Sequence, residues 1–188
     1  TGSITIGGQT LTITQAGSTF GNAGSLTTLV SSGLNNPTSV AADAAGNVYI
    51  ADRNTSSIKR WIKAANTTNT LVSSGLSLPQ NIALDAAGNV YIADSGNNAI
   101  KKWTATNSTV STLVGSGLTN PTGVAVDPAG NVYIADRNNS AIKKWSVTDS
   151  NVITLVNSGL NNPTAVAVDA AGDVYIADTF NGAIKKWT

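Results

Sequence analysis

The residues best suited to chemistry are aspartates that recur every 42 positions, namely Asp52, Asp94, Asp136 and Asp178. Four carboxylates related by a repeat could face a common axis and hold a hard cation such as Ca²⁺. Alternatively, each aspartate could cap its own turn by accepting hydrogen bonds from nearby backbone N–H groups. We favour turn capping and treat the four carboxylates as secondary candidates for a metal site.

Basic and aromatic residues follow the same repeat. Each copy carries a pair of basic residues, such as Lys59-Arg60 and Lys101-Lys102, followed by a tryptophan. A ring of basic pairs could bind an acidic glycan or a nucleic acid. A net charge of only +1 instead favours pairing with nearby aspartates, so no nucleic-acid partner is expected. The tryptophans are expected to pack in the core rather than to stack on sugars; they are Trp61, Trp103, Trp145 and Trp187.

Several residue types are missing, since the sequence has no Cys, His, Met or Glu. Without thiols or imidazoles, Ser-His-Asp triads, histidine acid–base catalysis and the usual zinc or haem sites are excluded. The four copies are also nearly identical, whereas an active site needs a nucleophile, a base and a charge stabiliser that are different residues placed once. We therefore expect a protein that is not an enzyme and that uses no cofactor.

The elements that position these residues are four short strands in each copy. In the third copy, residues 123–127 and 132–135 are apolar strands joined by a Pro-Ala-Gly-Asn turn, and residues 141–145 and 153–156 are the third and fourth strands. The first two strands are apolar at consecutive positions, which predicts that both faces of the sheet are buried. Sheets stacked around an axis meet that requirement, so each copy is interpreted as one blade of an all-β propeller.

The phase of the repeat predicts how the propeller closes. The last copy reaches only its third strand, and residues 28–34 match the fourth strand of the other copies. We therefore expect residues 28–188 to form four 42-residue, four-stranded blades that are closed by the N-terminal strand. The same complementary ends could instead join two chains into an eight-bladed ring, or link many chains head to tail.

Two stretches of the sequence, residues 120–136 and 97–103, resemble the NHL repeat in the spacing of Pro, Asp, Gly, Tyr and a second Asp. The resemblance covers residues 28–188 and implies a β-propeller, most often six-bladed in that family, that acts chiefly as a binding platform. A minority of NHL relatives are lyases that rely on His residues and a metal. The main hypothesis is a non-enzymatic binding or structural scaffold, and the alternative is a metal-dependent, lyase-like enzyme.

Residues 1–27 lie outside the repeat and are predicted to form a β-hairpin and a linker. Residues 3–6 and 10–14 alternate apolar and polar positions around a Gly-containing turn. Residues 3–16 resemble the last hairpin of BACON-type domains, which implies a remnant of an upstream domain or an assembly strand. An isolated hairpin is marginal in water. Its apolar side chains are therefore expected to pack on a blade, another domain or a neighbouring chain; they are Ile4, Ile6, Leu11 and Ile13.

The loops at the blade tips are the candidate binding surface, because they vary among otherwise similar repeats. Their candidate residues are Arg53, Asn54, Asn97, Asn98, Arg137, Asn138, Phe180 and Asn181. The expected partners are a protein or glycan ligand, or other copies of the chain. The Thr- and Asn-rich composition predicts a secreted, extracellular protein. No apolar run approaches the roughly 20 residues of a membrane helix, so membrane insertion is not expected.

Overall fold

The computed structural model describes residues 2–6, 9–13 and 26–188. The first two strands, β1 (Gly2–Ile6) and β2 (Gln9–Ile13), form an antiparallel hairpin in which Ile4 is opposite Leu11. The predicted hairpin is therefore present. The side-chain contacts expected of Ile4, Ile6, Leu11 and Ile13 fall outside what the structure describes, and their part in assembly stays a prediction.

The repeat forms four antiparallel sheets, which we call blades 1 to 4. Blade 1 contains β3 (Pro37–Ala42), β4 (Val48–Asp52), β5 (Ser57–Ile62) and β6 (Thr67–Val72). Blade 2 contains β7 (Pro79–Leu84), β8 (Val90–Asp94), β9 (Ala99–Thr104) and β10 (Thr109–Val114). Blade 3 contains β11 (Pro121–Val126), β12 (Val132–Asp136), β13 (Ala141–Trp145) and β14 (Val152–Val156). Blade 4 contains β15 (Pro163–Val168), β16 (Val174–Asp178) and β17 (Ala183–Trp187). The all-β, four-bladed propeller predicted from the repeat is confirmed.

Tight turns set the register within each blade. Between the first two strands of blade 1, the Gly46 N–H donates to the Asp43 carbonyl at 2.9 Å, and Gly46 has a φ of 81°. A residue without a Cβ adopts that conformation without steric cost. Between the second and third strands lie short 3-10 helices in blades 2 to 4, at Ser95–Asn97, Arg137–Asn139 and Thr179–Asn181. As a result, each second strand ends with an aspartate directly opposite the first residue of the third strand.

The core lies between the blades rather than within them. Tyr91, Ala93 and Ile100 on one face of blade 2 pack against Val124, Ile134 and Trp145 of blade 3. The equivalent residues make the interface between blades 1 and 2, and they also make that between blades 3 and 4 except for Trp187, which is exposed. Every internal interface therefore joins a Tyr-Ala-Ile face of one blade to a face of the next blade that is rich in β-branched residues. The predicted burial of both faces of the apolar strands is therefore confirmed for blades 2 and 3, whereas blades 1 and 4 each have an exposed residue on one face, Val40 and Ile184.

Polar contacts between the first strands of successive blades differ from one interface to the next. The Ser39 hydroxyl oxygen accepts from the Ile82 backbone N–H at 3.2 Å, and the Asn81 side-chain oxygen accepts from the Val124 backbone N–H at 3.0 Å. Gly123 occupies the corresponding position in blade 3. A Cβ at Gly123 would lie only 2.9 Å from the Ala165 Cα, so blades 3 and 4 approach more closely than a side chain would allow.

The closing strand is where the structure differs from the expectation. In the described part of the chain, blade 4 has three strands, and residues 26–34 form no strand on β17. The Ile184 side chain is 77% exposed, whereas its counterparts Ile58, Ile100 and Ile142 are fully buried. The buried clusters of the described residues join blades 1 and 2, blades 2 and 3, and blades 3 and 4, and none of them joins blade 4 to blade 1. Residues 29–34 lie on blade 1 instead, where Leu29, Val30 and Leu34 line an apolar groove with Val48, Ile50 and Trp61.

Candidate functional site

The candidate surface is built from two sets of loops, which together we call the tip face. The tip loops join the second and third strands, and the entry loops precede the first strand of each blade. In blade 3 the Asn138 backbone N–H donates to the Thr119 carbonyl at 3.1 Å, which ties a tip loop to the entry loop of its own blade. The same bond is made by Asn54, Gly96 and Phe180. The tip face is therefore held in shape by backbone hydrogen bonds, with the side chains of the tip residues left to vary.

A buried aspartate anchors each tip loop. Asp136 is fully buried, and one of its oxygens accepts from the Thr119 backbone N–H at 2.7 Å. Its other oxygen accepts from the Asn139 amide at 2.7 Å and from the Lys143 ammonium at 2.7 Å. Lys143 also donates to the Gly117 carbonyl of the entry loop. One ion pair thus joins the second strand, the tip loop, the third strand and the entry loop.

All four blades repeat this arrangement. The lysine nitrogens lie 2.6–2.9 Å from the aspartate oxygens in the pairs Asp52–Lys59, Asp94–Lys101, Asp136–Lys143 and Asp178–Lys185. Burial alone would raise the pKa of Asp52, but hydrogen bonds from Lys59 and Thr55 and from the Asn35 backbone outweigh it and leave the pKa below its ordinary value. The pKa of Asp178 is lowered in the same way against the effect of burial, by the Asn161 backbone, Lys185 and Asn181.

The expected capping of each aspartate's own turn is not what the structure shows. Each carboxylate accepts instead from a backbone N–H of the entry loop, 17 residues earlier in the chain, and the 3-10 helices after Asp94, Asp136 and Asp178 receive no side-chain capping hydrogen bond. Each carboxylate already has a cationic partner in its own blade. Within residues 26–188, no three acidic side chains are grouped so that they could hold a metal ion.

The predicted pairing of the basic residues with aspartates is found for the first lysine of each pair and for Lys186, which pairs with Asp173. The other second members lie over tyrosine rings instead; they are Arg60, Lys102 and Lys144. The sequence missed the specific partner, although the constant Asp-to-Lys spacing of seven residues across a hairpin was the available signal.

Three of the predicted binding residues have structural roles. The amides of Asn97 and Asn181 donate to the buried carboxylates of Asp94 and Asp178 at 2.8 and 2.7 Å. The Asn98 side-chain oxygen accepts from the Asn120 backbone N–H at 2.7 Å, which links blade 2 to the entry loop of blade 3. These groups are already satisfied, so they are poor candidates for ligand recognition.

The other predicted residues are exposed, except for the two arginines, which are half-buried. Arg53 and Arg137, on alternate blades, form no ion pair within the described ranges, and the Nε atom of each is shielded from solvent without a protein hydrogen-bond partner. Asn54 and Asn138 follow them and are exposed, and Phe180 of blade 4 is 62% exposed. Since the four aspartates of the tip face are neutralised by lysines, the two guanidinium groups give this face an excess of positive charge beside an exposed aromatic ring.

The opposite face is built from the turns between the first and second strands. One Asp85 oxygen accepts from the Asn89 amide at 2.7 Å and from the Tyr91 hydroxyl at 3.1 Å. The Lys102 ammonium lies 5.0 Å from the centre of the Tyr91 ring. Burial, and then the neighbouring Asp85, raises the pKa of Tyr91, so its hydroxyl remains a donor. The turns of blades 2 to 4 line a depression of about 660 Å³, but their polar groups are occupied by one another.

Comparison with known proteins identifies the repeat. The family model described as "NHL repeat" matches four times, at residues 34–61, 76–103, 118–145 and 160–187. No curated protein sequence matches the chain. None of the helices in the described ranges is long and apolar enough to cross a membrane.

Solved structures share the fold. A chain of a nidogen/laminin complex is 27% identical, with a TM-score of 0.69 over 76% of this chain and 56% of that one. A streptogramin B lyase is 13% identical, with a TM-score of 0.74 over 85% of this chain and 53% of that one. An auxiliary nutrient binding protein from Bacteroides thetaiotaomicron is 18% identical, with a TM-score of 0.65 over 80% and 47% of the two chains. This chain therefore spans about half the length of these structures.

Proposed function

Because the chain belongs to the NHL repeat family, we propose that it is a non-enzymatic, extracellular binding platform that holds a protein partner on its tip face. The observation that carries the proposal is the pair of guanidinium groups of Arg53 and Arg137. They have no carboxylate partner among the described residues. The nidogen/laminin structure supports a binding role, since it is a complex of a chain with this fold.

The chemistry of the tip face selects an acidic partner. Guanidinium groups bind carboxylates through two parallel hydrogen bonds, which adds orientation to the charge attraction. Phe180 supplies apolar contact area, and aromatic and arginine side chains are enriched at protein interfaces. The exposed amide of Asn138 adds a donor and an acceptor on the same face, whereas the Asn54 amide accepts from Arg53 and donates to Asn35. A peptide segment that combines Asp or Glu with an apolar residue fits this surface.

Titration with fluorescent peptides tests the proposal. We expect a 12-residue peptide of Glu and Leu to bind more tightly than its Lys and Leu counterpart, and to bind less tightly as salt screens the charges. The double variant Arg53→Ala/Arg137→Ala should weaken binding of the acidic peptide at least tenfold. Lys63→Ala removes an exposed lysine without an ion pair beyond the third strand of blade 1, and it is the matched control.

The outcomes separate the alternatives. Equal binding of the acidic and basic peptides, or equal losses in the arginine and Lys63 variants, would disprove recognition by the tip face. Binding of neutral glycans that is insensitive to the arginine variants would point to a glycan site elsewhere on the propeller. A lyase activity that is abolished by a chelator would replace the binding role with the enzymatic alternative.

A further inference from the structure

Among residues 26–188, one face of blade 1 and one face of blade 4 do not pack against another blade. On blade 1, Val40 is 66% exposed, whereas its counterparts Ile82, Val124 and Val166 are 4–9% exposed. On blade 4, Ile184 is 77% exposed and Tyr175 is 38% exposed. Exposed apolar patches of this kind mark interaction surfaces.

The two faces are the two halves of the interface that the fold repeats three times. Blade 4 presents Tyr175, Ala177 and Ile184, which correspond to Tyr91, Ala93 and Ile100 of the interface between blades 2 and 3. The corresponding face of blade 1 holds the residues that receive such a face, namely Val40, Val48, Ile50 and Trp61. Residues 29–34 line the same groove, so Ile50 and Trp61 are only 4% and 8% exposed and Val40 is the exposed member of this set. The two faces therefore have the residues that pack against each other at the three internal interfaces.

Blade 1 is also in contact with the segment whose sequence matches the strand that blade 4 lacks in the described structure. In blades 1 to 3, the third-strand isoleucine is opposite a valine of the fourth strand, in the pairs Ile58–Val72, Ile100–Val114 and Ile142–Val156. The same register places Val30 opposite Ile184. Val30 already lies in the groove of blade 1, and the outer edge of β17 has no neighbouring strand among the described residues.

We propose that a second copy of this chain occupies these faces. Blade 1 of each copy packs on blade 4 of the other, and residues 26–30 of each copy become the fourth strand of the other's blade 4. Two such contacts related by a two-fold axis close a ring of eight blades, which is within the range of known propellers. A second copy is favoured over closure within one chain because blades 1 and 4 of the same copy do not pack together in the described structure.

The polar contacts of the new interface are fewer than those inside the chain. Thr164 can donate to the Pro37 carbonyl of the other copy, as Thr38 does to the Pro79 carbonyl at 3.2 Å. Ala165 cannot accept a hydrogen bond as Ser39 and Asn81 do, and Gly182 replaces the acceptors Ser56, Asn98 and Ser140. We therefore expect a reversible dimer.

Light scattering after size exclusion, over a dilution series, tests the proposal. We expect twice the 19.0 kDa of one chain at high concentration and a single chain on dilution. Ile184→Asp should give a single chain at every concentration. Since Ile184 is largely exposed in one copy, this variant should keep its circular dichroism spectrum and melting temperature. Ile153→Asp, on the outer strand of blade 3 and 53% exposed, is the matched control and should still dimerise.

Substitutions that should strengthen the dimer provide an independent test. Gly182→Asn introduces the residue that blade 2 has at the equivalent position, Asn98, and the space around Gly182 is open. Ala165→Ser restores the acceptor found at Ser39. Each hydrogen bond should lower the dissociation constant on the order of fivefold.

A disulfide distinguishes exchange between chains from closure within one. The sequence has no cysteine, so Val30→Cys/Ile184→Cys introduces a single pair, and directly opposite strand residues are close enough to bridge. Under oxidation we expect a covalent dimer on a non-reducing gel. The proposal would be overturned by a disulfide within a single chain on the gel. It would also be overturned by a light-scattering mass of one chain at all concentrations, by a dimer that persists in Ile184→Asp, or by an open-ended polymer. Loss of the dimer on deleting residues 1–25 would assign assembly to the hairpin and would also overturn it.

Discussion

At the scale of single residues, the buried aspartate of each blade has the largest structural effect. Its carboxylate satisfies a backbone N–H, an amide or hydroxyl, and an ammonium that are otherwise shielded from water. Removing one partner of such a group leaves the others unpaired, which costs more than the net value of the interaction. The aspartates are therefore stabilising as parts of a network rather than as isolated ion pairs.

The variant Asp136→Asn tests this role. It keeps the shape of the side chain but removes the charge that Lys143 pairs with, and we expect the free energy of unfolding to fall by about 3 kcal/mol. Urea denaturation followed by tryptophan fluorescence measures the change. Asp149→Asn is the control, because Asp149 is exposed and bonds within its own loop. Equal losses in the two variants would show that the buried network has no special importance.

A second residue-scale prediction concerns tryptophans whose indole N–H lacks a partner. The Trp61 indole donates to the Asn66 side chain at 3.1 Å, but the shielded indole nitrogens of Trp103 and Trp145 have no hydrogen-bond partner. Ser108 occupies the place of Asn66 in blade 2, and both residues have positive φ, at 56° and 51°.

Ser108→Asn should therefore stabilise the protein by about 1 kcal/mol. It supplies an acceptor for the Trp103 indole, and Asn adopts positive φ more readily than Ser. Thermal and urea unfolding measure the gain, and Ser116→Asn in an exposed entry loop serves as the control. A change of the opposite sign, or an equal gain in the control, would contradict this account.

At the scale of the elements, the repeat predicts strands, turns and their order correctly, because the period of 42 residues fixes which segments are equivalent. The expected closing strand is the part that the repeat cannot settle. Residues 28–34 match the other fourth strands in sequence. This match shows that the segment can pair as a fourth strand, but it does not determine which blade the segment contacts. That depends on the angle between blades, which is set by packing at residues such as Gly123 and Ala165.

Hydrogen exchange tests the state of the last strand. At low concentration, the backbone N–H groups on the outer edge of β17 should exchange much faster than the equivalent groups of β13, which are paired with β14. The strands have the same sequence, Ala-Ile-Lys-Lys-Trp, so intrinsic exchange rates match. Mass spectrometry of peptic fragments measures the difference. Equal protection of β13 and β17 in a single chain would mean that residues 26–30 close the ring within that chain.

At the scale of the whole molecule, the candidate site could be predicted only in part. The tip loops are identifiable because they vary between repeats. In the structure Asn54, Asn138 and Phe180 are exposed, and Arg53 and Arg137 are half-buried. The structural roles of Asn97, Asn98 and Asn181 were not identifiable, because their partners come from other loops and from the next blade. The unpaired charge of the arginines emerges only once the lysine partners of the aspartates are known.

The pH dependence of stability follows from the acidic residues alone. Folding lowers the pKa of Asp52, and likewise that of Asp43, Asp85 and Asp127, in each case against burial and through hydrogen bonds from neighbouring groups. A carboxyl whose pKa is lower in the folded state binds protons first when the chain is unfolded. Its stabilising effect is complete above the unfolded pKa of about 3.9 and is lost as the pH falls through the folded pKa.

We therefore expect the melting temperature to stay constant between about pH 5 and 7 and to drop steeply below about pH 4, since there is no histidine to titrate at higher pH. Calorimetry across this range measures the profile. A melting temperature that changes markedly between pH 5 and 7 would show that other groups dominate.

The differing contacts between first strands also bear on how the chain folds. Nearly identical repeats can associate out of order during folding, and such misassembly is a characteristic failure of repeat proteins. Ser39 and Asn81 each accept from the blade that follows, whereas the position of Gly123 leaves no room for a side chain, because the next blade lies too close. A skipped or exchanged blade would leave an acceptor unpaired or press a side chain against backbone. These three differences therefore favour packing between blades that are consecutive in the sequence over packing between blades that are not.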